Sequence, residues 1–143
     1  MNLHPQPDNV LLKADSSSKL GLTAKITDFG LSTNLGPHAT HASNFTGGTP
    51  YYAAPEVAMT GRTSKASDAF SFGVIMAELY SRSPPWVKVN GIFSANPNFP
   101  NFPPGTPPPF MNLAYRCLEI EMSKRPRFEE IVASLQEMLR ELN

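Results

Sequence analysis

The sequence predicts a mainly α-helical domain that carries one small β-hairpin. Three observations lead there. Ser64 to Tyr80 is a long stretch with apolar residues nearly all round a helical wheel, the pattern of a buried central helix. Phe110, Leu113, Ala114, Cys117 and Leu118 fall at i, i+3, i+4, i+7 and i+8. Phe128, Ile131, Val132, Leu135, Met138, Leu139 and Leu142 repeat that period, so two amphipathic helices follow. Near the start, two short β-prone runs, Val10-Leu11-Leu12 and Thr23-Ala24-Lys25-Ile26, flank the turn-rich Asp15-Ser16-Ser17-Ser18-Lys19, which reads as a hairpin with a long tip.

Taken in order, the hairpin is followed from Leu31 to Gly48 by a loop rich in hydroxyls, with His38 and His41 in it. Those two histidines have no accompanying Cys or third His and read as loop residues rather than metal ligands. Asp68 stands near the start of the central helix, where it can cap the free N–H groups. Ile75 and Leu79, four apart, are expected on one supporting face of that helix. Ser83-Pro84-Pro85-Trp86 ends it. From Val87 to Pro109 the chain reads as an extended loop. Only Val87 to Ala95 is open to helix, and Gly91 and the β-branched residues weaken it. Pro97, Pro100, Pro103 and Pro104 exclude a long helix. Cys117 reads as a buried apolar residue, and Pro126 is placed at the start of the last helix.

The bulk numbers bound the function. With 143 residues, 1–143 is one domain with room for a core. Twelve basic and twelve acidic residues give no net charge, and no nucleic-acid or membrane partner is implied. A single cysteine rules out an internal disulfide and fits a reducing, cytoplasmic setting. No apolar run is long enough to span a bilayer. Fifteen prolines are unusual, and nine of them lie between Pro84 and Pro109.

The chemistry concentrates between Lys25 and Glu56. Asp28-Phe29-Gly30 and, later, Gly48-Thr49-Pro50-Tyr51-Tyr52-Ala53-Ala54-Pro55-Glu56 bracket the hydroxyl-rich loop. Together they resemble the activation segment, here 28–56, of a eukaryotic protein kinase. The rest of the chain follows: Pro7-Asp8-Asn9-Val10-Leu11-Leu12 resembles the end of the catalytic loop, Ser64 to Tyr80 the central helix, and Arg125-Pro126-Arg127-Phe128 the entry to the last helix. The resemblance covers essentially the whole chain and implies the C-lobe of a tyrosine-kinase-like Ser/Thr kinase, with the N-lobe absent and its natural neighbour.

The resemblance implies site residues. Asp28 and Asn9 would be the metal ligands, holding Mg²⁺ on the phosphates of ATP through a carboxylate and an amide oxygen. Gly30 would let the backbone turn beside the nucleotide. Leu11 would floor the adenine site, a plain core leucine being the other reading. Thr49 would sit in the substrate-docking turn and, with Pro7-Asp8-Asn9, favours Ser/Thr acceptors on a protein substrate. Glu56 would pair with Arg125. Ser43 and Thr46 fall where activation-loop phosphosites occur, although a polar mobile loop is the favoured reading, Leu3 standing where the phosphate-pairing arginine is expected.

The catalytic loop departs from the pattern. Aligned without gaps, Asn2, Leu3 and His4 stand at the H-R-D positions, so His4 occupies the base position, and Gln6 replaces the lysine that steadies the transferring phosphoryl group. The expectation is a kinase domain piece with negligible phosphotransfer alone, its start arising from a mis-set gene boundary. The alternatives are a pseudokinase-like binding module and a non-functional gene remnant. An apolar surface around Leu11, Phe29 and Leu31 is expected to be exposed.

Overall fold

The computed structural model describes residues 7–28 and 50–142. Roughly half of the described residues are helical, and two small antiparallel sheets complete the fold. The predicted hairpin is there: β1 (Val10–Ala14) pairs with β2 (Leu22–Ile26), running from Val10 opposite Ile26 to Ala14 opposite Leu22. Its tip is closed by Asp15. One carboxylate oxygen accepts from the Ser17 backbone N–H and hydroxyl, and the other accepts from the Thr23 hydroxyl at 2.5 Å. Those bonds favour the ionised form and hold the Asp15 carboxyl at about 2.

Among the described residues four α-helices follow: α1 (Pro55–Thr60), α2 (Lys65–Ser81), α3 (Pro108–Cys117) and α4 (Phe128–Glu141). α2 is the spine. Its start is closed by a capping box in which Ser64 and Ser67 satisfy each other's backbone N–H groups. Asp68, for which capping was one reading, lies four residues past the N-cap Ser64 and is buried in the first turn. Ala69 and Met76 of α2 pack with Leu113, Ala114 and Cys117 of α3 and Ile131 of α4. Val74 and Ile75 pack with Tyr52 in a second cluster. α2 and α3 cross so closely that a Cβ on Gly73 would stand 2.5 Å from the Cys117 Cβ. Cys117 is fully buried as expected, and burial pushes its thiol up to about 11.

Several expectations are corrected. Ile75 is buried but Leu79 is 70% exposed, so the pair does not form one packed face. The last helix starts at Phe128, with Pro126 ahead of it, and the Glu130 carboxylate accepts from the Arg127 N–H. Only Ile131 of its apolar stripe is fully buried. Val132, Leu139 and Leu142 face out. The largest correction is Val87 to Ala95, which is neither helix nor loop. β3 (Trp86–Val89) and β4 (Ile92–Ala95) form a second hairpin across a two-residue turn, Asn90-Gly91. Both turn residues take left-handed backbone, at φ 51° and 82°, which asparagine and glycine accept most readily. The remaining proline-rich stretch is non-helical up to Pro107, as expected.

Candidate active site

The site is built at the open end of the first hairpin. A single helical turn over Pro7–Asn9 delivers the chain into β1. The pairing continues one residue beyond the last strand pair, because the Thr27 N–H donates to the Asn9 carbonyl at 2.8 Å. Asn9, just before β1, and Asp28, two residues past β2, therefore lie at the same end of one small sheet. Asp28 follows Thr27 with its backbone at φ 61°. A non-glycine residue adopts that left-handed state at a cost, least for Asp and Asn, and such residues concentrate at functional sites. Asp28 is exposed and Asn9 half-buried.

A carboxylate and an amide oxygen are hard donors suited to Mg²⁺, which keeps its other positions for phosphate oxygens and water. The donor chemistry therefore fits the implied metal. Leu11 is 56% exposed beside this end of the sheet, so it is not the core leucine of the other reading. His4, Gln6, Phe29, Gly30, Leu31, His38, His41, Ser43, Thr46 and Thr49 lie outside the described residues.

The far end of the bracketing loop is fastened to the core by two arrangements. The first was expected from sequence: Arg125 Nη1 meets Glu56 Oε1 at 2.7 Å and Nη2 meets Oε2 at 2.9 Å. Arg125 also donates Nε to the Glu119 carbonyl, Nη1 to Ala66 and Nη2 to Ile120, so all five of its N–H groups are used. Its guanidinium lies 5.0 Å from the Phe70 ring centre, and its side chain is wholly buried.

The second arrangement was not legible. Tyr52 donates its hydroxyl to Glu78 Oε2 at 2.7 Å, and its carbonyl accepts from the Ser71 hydroxyl at 2.7 Å. The Trp86 indole N–H reaches the same phenol. Burial, and then the Glu78 carboxylate, push the Tyr52 phenol above its ordinary range. The Asp8 charge adds a smaller push in the same direction. Tyr52 follows a turn motif and Glu78 sits mid-helix, and no spacing rule links two residues 26 apart.

A family model, the protein kinase domain, matches residues 6–135. A Dictyostelium discoideum protein named "Probable serine/threonine-protein kinase drkC" is 32% identical over 127 residues, covering 80% of this chain and 16% of its own length. Rat dual specificity testis-specific protein kinase 2 is 30% identical over 140 residues, 94% of this chain and 24% of its own length. Mouse ephrin type-A receptor 6 is 36% identical over 126 residues, 83% of this chain and 12% of its own length. The chain thus spans well under a third of each of these three relatives. With the family match running from the turn before Asn9 into α4, the chain belongs to the eukaryotic protein kinase family.

Proposed function

We propose that the chain is the C-lobe part of a protein kinase domain in which Asp28 and Asn9 carry Mg²⁺–ATP for transfer of the γ-phosphate to Ser or Thr of a protein substrate. The observation that carries this reading is Asp28, held at φ 61° directly after a Thr27 that is hydrogen-bonded to Asn9. Bound there, Mg²⁺ would supply charge neutralisation of the phosphate oxygens. The chain's own groups do the rest. Asp28 and Asn9 would each offer one oxygen to the metal. Leu11 would offer an apolar floor, and the role of Gly30 is carried by the sequence resemblance alone. Tyr52, at the end of the G-T-P-Y-Y motif that contains Thr49, is clamped by Glu78 and Ser71.

The sequence at the acid–base position argues for weak turnover. A substrate hydroxyl needs a group that accepts its proton, and His4 stands where a carboxylate is usual. Gln6, being neutral, stabilises developing phosphoryl charge less than a lysine would. These same two residues favour the second reading, a pseudokinase-like module that binds nucleotide or protein without catalysis. Equilibrium dialysis with radiolabelled ATP tests the first part. Binding should require Mg²⁺ and fall by about tenfold in Asp28→Ala, the loss of one charged ligand interaction. Binding that ignores both would refute the site. In the same preparation phosphotransfer to a mixed Ser/Thr substrate should be negligible. Turnover that Asp28→Ala abolishes would overturn the inactivity.

A further inference from the structure

Among the described residues, the hairpin of β3 and β4 ends on an unguarded edge. The phase of its ladder follows from the pairing of Val89 with Ile92 across the turn and from the Asn96 N–H, which reaches the Pro85 carbonyl at 2.9 Å. Val89 with Ile92 and Val87 with Ser94 are therefore the hydrogen-bonded pairs, and the alternate pairs direct their backbone groups outward. On β4 those outward groups belong to Phe93 and Ala95. All four β4 residues are exposed, whereas Trp86 and Val87 of β3 are half-buried against the body. Native edges are usually blunted by charge, proline or a bulge. β4 reads Ile92-Phe93-Ser94-Ala95, with no charge and no proline, and its register carries no bulge.

The two faces differ chemically. Val89 and Ile92 make an exposed aliphatic face. The other face carries Phe93, edge-on to Trp86, with the Lys88 ammonium 4.9 Å from the Phe93 ring centre. Lys88 is the sole charged side chain from Trp86 to Ala95. The root is firm: the Asn96 amide donates to the Pro84 carbonyl at 3.0 Å, and Trp86 reaches Tyr52.

We propose that the β4 edge is a docking site for an extended segment of a partner protein, one that sets aliphatic residues against Val89 and Ile92 and an acidic residue against Lys88. The outward N–H and C=O groups select an extended backbone, and the single positive charge selects the acidic side chain. A third strand would also complete a two-stranded sheet that is marginal alone. This site is independent of nucleotide chemistry.

The test titrates the isotopically labelled 143-residue chain with a capped V-E-V-E-V peptide, with V-K-V-K-V as control, followed by amide shifts and exchange. Shifts and slowed exchange are expected at Phe93 and Ala95. The lysine peptide should bind about threefold more weakly. Ala95→Pro deletes one outward donor while sparing the Val87–Ser94 bonds, and should weaken the acidic peptide about fivefold. If that variant disturbs the Val87 and Ser94 amides, Ile92→Glu carries the test, because an edge charge of the peptide's own sign, in place of the aliphatic contact, should abolish binding of the acidic peptide. No response at Phe93 and Ala95 would overturn the proposal. Equal binding of the two peptides would overturn the acidic preference. Concentration-dependent shifts at those amides without peptide would overturn it too, assigning the edge to a second copy.

Discussion

Arg125 concentrates more bonds than any other described side chain, and its energetics set a test at the residue scale. A buried guanidinium with every N–H engaged is tolerated only while its partners stay. Glu56→Gln leaves that cation without its carboxylate and should cost about 3–5 kcal/mol. Arg125→Lys should be nearly as damaging, since one ammonium cannot reach two carboxylate oxygens and three carbonyls at once. Urea unfolding monitored through Trp86 fluorescence measures both; a loss below about 1 kcal/mol, the range of exposed pairs, would contradict this reading. Tyr52 gives a second residue-scale test. Its phenol is raised by burial and by Glu78, above the ordinary value of 10.0. Its contribution to stability is therefore complete below that value. It is lost as pH rises through it, because the unfolded chain then releases a proton that the folded chain keeps. The stability difference between the native chain and Tyr52→Phe should shrink from about pH 8 to about pH 11. A difference flat in pH would show that the phenol is solvated.

At the scale of elements, the crossing of α2 and α3 depends on the missing side chain at Gly73. A methyl there meets the Cys117 Cβ at 2.5 Å, inside any real contact distance, and the neighbouring Ala114 carbonyl leaves it little room to move. Gly73→Ala should destabilise by about 1–3 kcal/mol despite its better helix propensity, as overpacked cores do. Thermal unfolding by circular dichroism reads this, and an unchanged midpoint would mean the helices separate at no cost. The elements also show what the sequence could express. α2, α3 and α4 were legible because their apolar periods run over ten residues or more, and the first hairpin because β-prone runs flank a turn cluster. The second hairpin was also encoded, in Val-Asn-Gly-Ile, the strongest short hairpin signal. Reading Gly91 as a helix breaker and the segment by its surrounding prolines hid it. The exposed half of α4 was not foreseeable, because periodicity shows which residues share a stripe and not how much of that stripe a neighbour covers.

For the whole molecule, the arrangement joins two fastened ends. The hairpin holds Asn9 and Asp28 at one sheet end, and the Glu56–Arg125 and Tyr52–Glu78 contacts tie the residues after the bracketing loop to the helical body. The pairing of Glu56 with Arg125, 69 residues apart, was readable only through resemblance to a family, since nothing local links them. The Tyr52, Glu78 and Trp86 cluster escaped even that reading, because hydrogen bonds among side chains of separate elements leave no period in the sequence. The reading of the site rests on Asp28 and Asn9 converging on one metal-bound nucleotide. Paramagnetic broadening by Mn²⁺–ATP in the labelled chain tests that most directly. The amides of Asn9, Thr27 and Asp28 should broaden first, and Asp28→Ala should remove the effect. Broadening spread over the surface carboxylates, or unchanged in Asp28→Ala, would contradict it.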